Sequence, residues 1–269
     1  MQNFKMPTRE QNSNKGTFGK VLNICGSKNY IGAAYLSTIS SLKVGAGFSA
    51  LASTKDVIAS VSAILPEAVY IDMENCLTKL NNYNTILIGC GLGLNSASHG
   101  LFRQVMGELQ KETNPVVIDA DGLNILAKQA CKLPKNTIIT PHPLEAARLL
   151  GCTLEEVLSN LEGSAKKLSE KYNCITVLKT HETIVCDKDF SIYVNKHGNS
   201  ALAKAGSGDV LAGIIAGLLA QKVSPFEAAK LGVYLHSRAG EIASEELTEY
   251  SVLASDLPKY LHKAIAELL

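Results

Sequence analysis

Residues 206–220 read Gly206-Ser207-Gly208-Asp209-Val210-Leu211-Ala212-Gly213-Ile214-Ile215-Ala216-Gly217-Leu218-Leu219-Ala220, a polar turn with two glycines that runs straight into an apolar stretch. The stretch from Val210 is far short of the ~20 residues a membrane span needs, and Asp209 and Gln221-Lys222 bracket it, so it predicts a buried helix. Glycines let a backbone come close to a ligand, and the unpaired N–H groups of a first helical turn point at the same spot with a partial positive charge. The turn is therefore suited to a phosphate. Asp209 fits equally well as a helix cap, the commonest use of Asp at a helix start, and spacing alone leaves both readings open.

Outward from this helix, the chain alternates short β-rich runs with helical ones. Val21 to Cys25, Phe48 to Ala52, Thr85 to Ile88, Val116 to Asp119, Thr137 to Thr140 and Ile175 to Lys179 read as strands, with a helix from about Ala33 to Lys43 between the first two. Their near-continuous Val, Ile and Leu predict burial on both faces, hence a mostly parallel sheet covered by helices on each side. Thr183 to Cys186, a polar Asp187-Lys188-Asp189 turn and Ser191 to Val194 break the alternation and predict a late antiparallel hairpin. Ser224-Pro225 opens a further long helix, read over Glu227 to Glu245.

The chain has 269 residues, 46% of them hydrophobic, with no repeat or low-complexity linker, so one domain spanning 1–269 is the simplest organisation. Lys+Arg 26 against Asp+Glu 25 leaves a net charge of +1, which supplies no overall field for nucleic acid or an anionic membrane. Met1 to Lys15 is polar and lacks an apolar signal region, which predicts a cytoplasmic protein. Seven cysteines without a CxxC pair read as reduced, mostly buried thiols, and six histidines form no metal-ligand spacing.

Ligands of open α/β sheets bind beyond the carboxyl ends of the strands, so the loops after the strands carry the information. Gly89-Cys90-Gly91-Leu92-Gly93 follows one strand but lacks a GxGxxG fingerprint, which argues against a dehydrogenase. Thr140-Pro141-His142-Pro143-Leu144-Glu145 holds His142 rigidly between two prolines, with Glu145 at a new helix start. Asp119-Ala120-Asp121 is either a carboxylate pair for hydrated Mg²⁺ or an Asx-rich turn, and composition favours the turn. Lys179 ends a strand, where it meets either a phosphate or solvent.

Taken in order, Lys15-Gly16 with Gly19-Lys20-Val21-Leu22, Gly26-Ser27 with Tyr30-Ile31-Gly32-Ala33, Gly45-Ala46-Gly47, Leu65-Pro66-Glu67, and the loops at 89–93, 119–124, 140–145, 198–199 and 206–211 resemble one family, the ADP- or ATP-dependent NAD(P)H-hydrate dehydratases of the ribokinase-like superfamily. The resemblance implies a three-layer α/β/α sandwich. It places ADP or ATP against Lys179, Thr180, His181, Glu182, Thr183, Asn199, Gly206, Ser207 and Gly208, and the hydrated nicotinamide against Ala33, Gly93 and His142. Asp209 is implied as catalytic base, ionised at neutral pH by its helix terminus, with Mg²⁺ on the nucleotide and met by Glu145 through water. A homotetramer and a functional link to a separate NAD(P)H-hydrate epimerase are also implied. The sequence departs from the family pattern at Asn14, Cys90, Ala205 and Ser207, and its Lys179 to Thr183 loop lacks the usual glycine-containing middle. A vitamin-precursor kinase and a degenerate nucleotide-binding regulator remain as alternatives, although the intact Gly-Ser-Gly-Asp turn argues against the second.

Overall fold

A computed structural model describes residues 4–269, so Met1 to Asn3 of the N-terminal stretch lie outside the described residues. The first half of the chain runs β1 Lys20–Ile24, α1 Ile31–Lys43, β2 Phe48–Ser53, α2 Lys55–Ser62, β3 Val69–Asp72, β4 Thr85–Ile88, α3 Ser96–Leu109 and β5 Val116–Ile118. There follow α4 Asp121–Lys128, β6 Thr137–Ile139, α5 Pro143–Leu150, α6 Leu154–Ser159, α7 Leu161–Tyr172 and β7 Ile175–Leu178. The chain closes with β8 Ile184–Cys186, β9 Ile192–Val194, α8 Ser207–Ala220, α9 Pro225–Ser251 and α10 Leu257–Ala266.

The strands form a nine-stranded sheet in the order β3-β2-β1-β4-β5-β6-β7-β8-β9. β1 to β7 run parallel, and β8 and β9 add antiparallel, as the polar turn at 187–189 predicts. Successive strand residues alternate between two cores. Val21, Leu87, Val117 and Val177 pack on one face with α1, α2, α8, α9 and α10, while Leu22, Ile24, Ile88, Ile118 and Leu178 pack on the other with α3 to α7. Burial on both faces is why these strands read as continuous apolar runs.

β3 was not foreseen, because it is a half-exposed edge strand whose Val69 is open to solvent. Regular geometry in α9 breaks at Thr248 (φ 64°), close to the predicted end at Glu245. The seven cysteines are free thiols, five buried and two half-buried. No helix among the described residues is long and apolar enough to cross a membrane.

Parallel strands end on one edge, so the loops after β1, β4, β5, β6 and β7 share it. α8 delivers its N-terminus to the same edge because it packs tightly on α1. A Cβ at Gly213 would lie 2.2 Å from the Ser37 carbonyl oxygen, so that crossing tolerates only glycine.

Candidate active site

Gly206 adopts φ 94° as the residue before α8, a conformation that favours glycine, and a Cβ there would meet Leu36 Cδ1 at 2.5 Å. No side chain caps this helix. The Ser207 N–H donates to the Lys204 carbonyl at 3.2 Å, which leaves the Gly208 N–H of the first turn available to an anion. Asp209 lies inside the first turn and is not the cap, which removes the simple capping reading.

The Asp209 carboxylate meets a cluster assembled from distant segments. Ligand atoms of Cys90, Asp119 and Asp209 all lie within 4.8 Å of one another. Asp119, at the end of β5, is buried and accepts from Lys179 Nζ at 2.7 Å and from Thr140 Oγ1 at 2.7 Å. The Cys90 thiol donates to Asp119 Oδ2 at 3.7 Å. Lys179 is thus neither solvated nor free: its Nζ sits 3.2 Å from the position a Gly208 Cβ would take, directly beneath the anion hole. Burial opposes the Lys179 charge, but Asp119 and Glu145 hold its ammonium above the usual range.

Burial, followed by the Asp119 charge, pushes the Asp209 carboxyl up to about 7. This corrects the expectation of a carboxylate kept fully ionised by its helix terminus. Loss of water outweighs the Cys90 S–H and Lys179 together. The Cys90 thiol is itself pushed well above its ordinary value by the neighbouring Cys25 and by burial, so it stays a neutral donor.

His142 caps α5: its Nδ1 accepts from the Leu144 and Glu145 N–H groups at 3.2 and 3.3 Å, while Glu145 Oε2 accepts the His142 N–H at 2.8 Å. An Nδ1 that accepts two bonds belongs to a neutral ring, and burial and then Lys179 lower the His142 pKa accordingly. The proton is left on Nε2, 3.5 Å from Glu145 Oε1. Burial pushes the Glu145 carboxyl up to about 7 against the nearby Lys179 charge.

The remaining predicted residues are more dispersed. Gly93 donates its N–H to Asp121 Oδ2 at 2.8 Å, so Asp121 serves the glycine loop. Ala120 between the two acids is held at φ 49°, a strained value for alanine at a sheet's carboxyl edge. Ala33 lies in the first turn of α1, where its Cβ sits 2.9 Å from the position a Gly91 Cβ would take. The Lys179 to Thr183 loop closes on itself, with Thr180 Oγ1 donating to the Glu182 carbonyl at 2.7 Å and Thr183 Oγ1 to the Thr180 carbonyl at 3.1 Å, leaving His181 and Glu182 exposed. Asn199 Nδ2 donates to Ser244 Oγ at 2.6 Å, tying its segment to α9.

Two contributors escaped the sequence reading. Thr140 orients Asp119, and buried His236 places Nε2 3.0 Å from Ser207 Oγ, its pKa pushed down to about 4 by burial so that the ring is neutral. A histidine within an apolar helix stripe carries no sequence signal that it faces Ser207.

The donor set also bears on Mg²⁺. Asp119 is committed to Lys179 and Thr140, Cys90 is a soft neutral thiol, and Glu145 spends one oxygen on His142, so these residues do not form a dedicated oxygen cage. They fit a cation that arrives on phosphate groups and keeps most of its waters.

The NAD(P)H-hydrate dehydratase family profile matches residues 21–263. The chain is 40% identical over 243 residues to the ADP-dependent (S)-NAD(P)H-hydrate dehydratase of Neisseria meningitidis, covering 88% of this chain and 81% of that protein. It is 33% identical to the bifunctional NAD(P)H-hydrate repair enzyme Nnr of Thermofilum pendens over 98% of its own length, spanning 53% of that longer protein. The ADP/ATP-dependent NAD(P)H-hydrate dehydratase of Bacillus subtilis, co-crystallised with ATP and Mg²⁺, superposes with a TM-score of 0.87 at 29% identity, covering 98% of this chain and 95% of that one.

Proposed function

The chain belongs to the NAD(P)H-hydrate dehydratase family, and from that membership we propose that it returns the S-epimer of NADH or NADPH hydrate to NAD(P)H, with ADP as phosphoryl donor. The observation that carries this reading is the Asp209 carboxylate, poised near neutrality beside the uncapped N-terminus of α8.

Hydroxide is a poor leaving group. Asp209 takes the proton of the ring hydroxyl as that oxygen attacks the β-phosphorus of ADP, and the bond to AMP breaks. A base whose pKa lies near the working pH is well matched to this transfer. The Gly208 N–H, with the Lys179 ammonium beneath it, faces the charge that develops on the phosphoryl oxygens. The ring nitrogen's lone pair then expels phosphate, and loss of a proton from the neighbouring ring carbon restores the nicotinamide. The net products are NAD(P)H, AMP and phosphate. Mg²⁺ bound to the nucleotide supplies neutralisation of phosphate charge, and Glu145 is suited to meet it through water.

The remaining assignments belong to the same proposal. Lys179 to Thr183, Asn199 and Gly206 to Gly208 bind the nucleotide, and Ala33, Gly93 and His142 bind the hydrated ring. Residues 1–269 act as one catalytic domain in the cytoplasm and assemble as a tetramer. An epimerase supplies the S-epimer, as the bifunctional relatives suggest.

Purified protein incubated with hydrated NADH, Mg²⁺ and either ADP or ATP is expected to restore the absorbance of the reduced nicotinamide and to release free phosphate. No recovery with either nucleotide overturns the proposal, and phosphate retained on the product would make the enzyme a small-molecule kinase instead.

A further inference from the structure

The order of the sheet reverses at one place. β1 lies between β2 and β4, and its onward connection runs through α1 on one face whereas that of β4 runs through α3 on the other. A reversal of this kind opens a crevice outside the carboxyl ends of the two strands. There the structure has a cleft of about 510 Å³, lined by Gly26 and Ser27 after β1, Lys55 at the start of α2, Asn95 before α3, and Gly100 and Gln104 on α3. Asp209 and Lys179 are not part of its lining. Gly93 forms the border between the two regions. A Cβ on Gly93 would lie 3.8 Å from Ser27 Oγ and 3.9 Å from Asn95 Nδ2, both on the cleft side, while its N–H is bonded to Asp121 on the other side.

We propose that this cleft holds the adenosine-phosphate half of the hydrated dinucleotide while the reacting ring lies on the Asp209 side of Gly93. The assignment rests on the function proposed above. Size supports it, since the volume lies within the range of small-molecule sites and a dinucleotide is far too long for the Asp209 cluster alone. The lining chemistry supports it too. Lys55 brings an exposed ammonium, and Thr54 ahead of α2 makes no capping bond, so the first-turn N–H groups of α2 remain free for a phosphate. Asp72 and Glu74 offer acceptors for ribose hydroxyls, and Leu92 and Leu101 offer apolar surface for a base.

Gly100→Leu tests the assignment by filling the cleft. A Cβ at Gly100 meets nothing within 4 Å, and leucine is the better helix former, so the variant is expected to fold. Steady-state rates are compared for hydrated NADH and for hydrated reduced nicotinamide mononucleotide, which lacks the adenosine half. The wild type is expected to prefer the dinucleotide by about 100-fold in kcat/KM, and Gly100→Leu to raise KM for the dinucleotide by at least about tenfold and narrow that preference. Lys55→Gln, at an exposed position, is expected to raise the same KM severalfold. An unchanged dinucleotide KM in both variants overturns the assignment, as does a rise confined to the KM for ADP, which would make the cleft the nucleotide's. A wild-type enzyme that dehydrates neither substrate overturns the function itself, whereas a working enzyme with unmoved KM values overturns only the cleft.

Discussion

At the residue scale, the proposed function turns on how burial distributes protons over Asp209, Lys179 and Glu145. Asp209 must be ionised to accept a proton, so kcat/KM is expected to rise with pH through about 7 and to level off above it. A profile that stays flat down to pH 5 would exclude Asp209 as the base. Asp209→Asn is expected to lower turnover by about 10²- to 10⁴-fold while ADP still binds, as checked by calorimetry. The same substitution bears on stability. A carboxyl raised from 3.8 to about 7 binds its proton more tightly in the folded state, so Asp209 and, in the same sense, Glu145 make stability fall as pH rises from about 4 to about 7. Asp209→Asn removes the cost of the buried charge and is expected to raise Tm at pH 8, at about 2–4 °C per kcal/mol, with the gain vanishing near pH 4. Lys179→Ala does the opposite: it leaves the buried Asp119 carboxylate without its partner and is expected to cost about 3–5 kcal/mol in denaturant unfolding.

At the scale of elements, the decisive contact is α8 on α1. Gly213 and Gly217 face the Ser37 and Ser41 carbonyl oxygens, and Ser37, Ser40 and Ser41 satisfy their hydroxyls on their own helix, so the two backbones approach closely, while the buried Thr38 Oγ1 of the same helix is left without a partner. This crossing sets where the N-terminus of α8, and with it Asp209, meets the sheet edge. Gly213→Ala is expected to destabilise by about 1–3 kcal/mol through overpacking and to reduce turnover as α8 shifts. Gly107→Ala on α3, where a Cβ meets nothing within 4 Å, provides the contrast: the same change is expected to stabilise by about 0.5–1 kcal/mol and to leave kcat intact. Equal effects of the two substitutions would show that the α1–α8 crossing is not what places Asp209.

At the scale of the whole molecule, a net charge of +1 must serve two polyanionic substrates, so attraction comes from local N–H groups and from Lys179, not from an overall field. The proposed tetramer is checked by light scattering, which should return four times the chain mass of 28.7 kDa; a single-chain mass removes it. The sequence alone determined the layered α/β architecture, because strands buried on both faces must read as continuous apolar runs and a polar turn between two short strands must fold back. It also marked which loops have constrained backbones, since glycine and proline at strand ends announce their backbone geometry locally. The edge strand β3 was not legible, because a half-exposed strand lacks that apolar signature. The protonation of Asp209, the Lys179–Asp119 pair 60 residues apart and the Ser207–His236 contact were decided by tertiary structure alone. Desolvation depends on which distant segments close over a group, and no local pattern of residues records that.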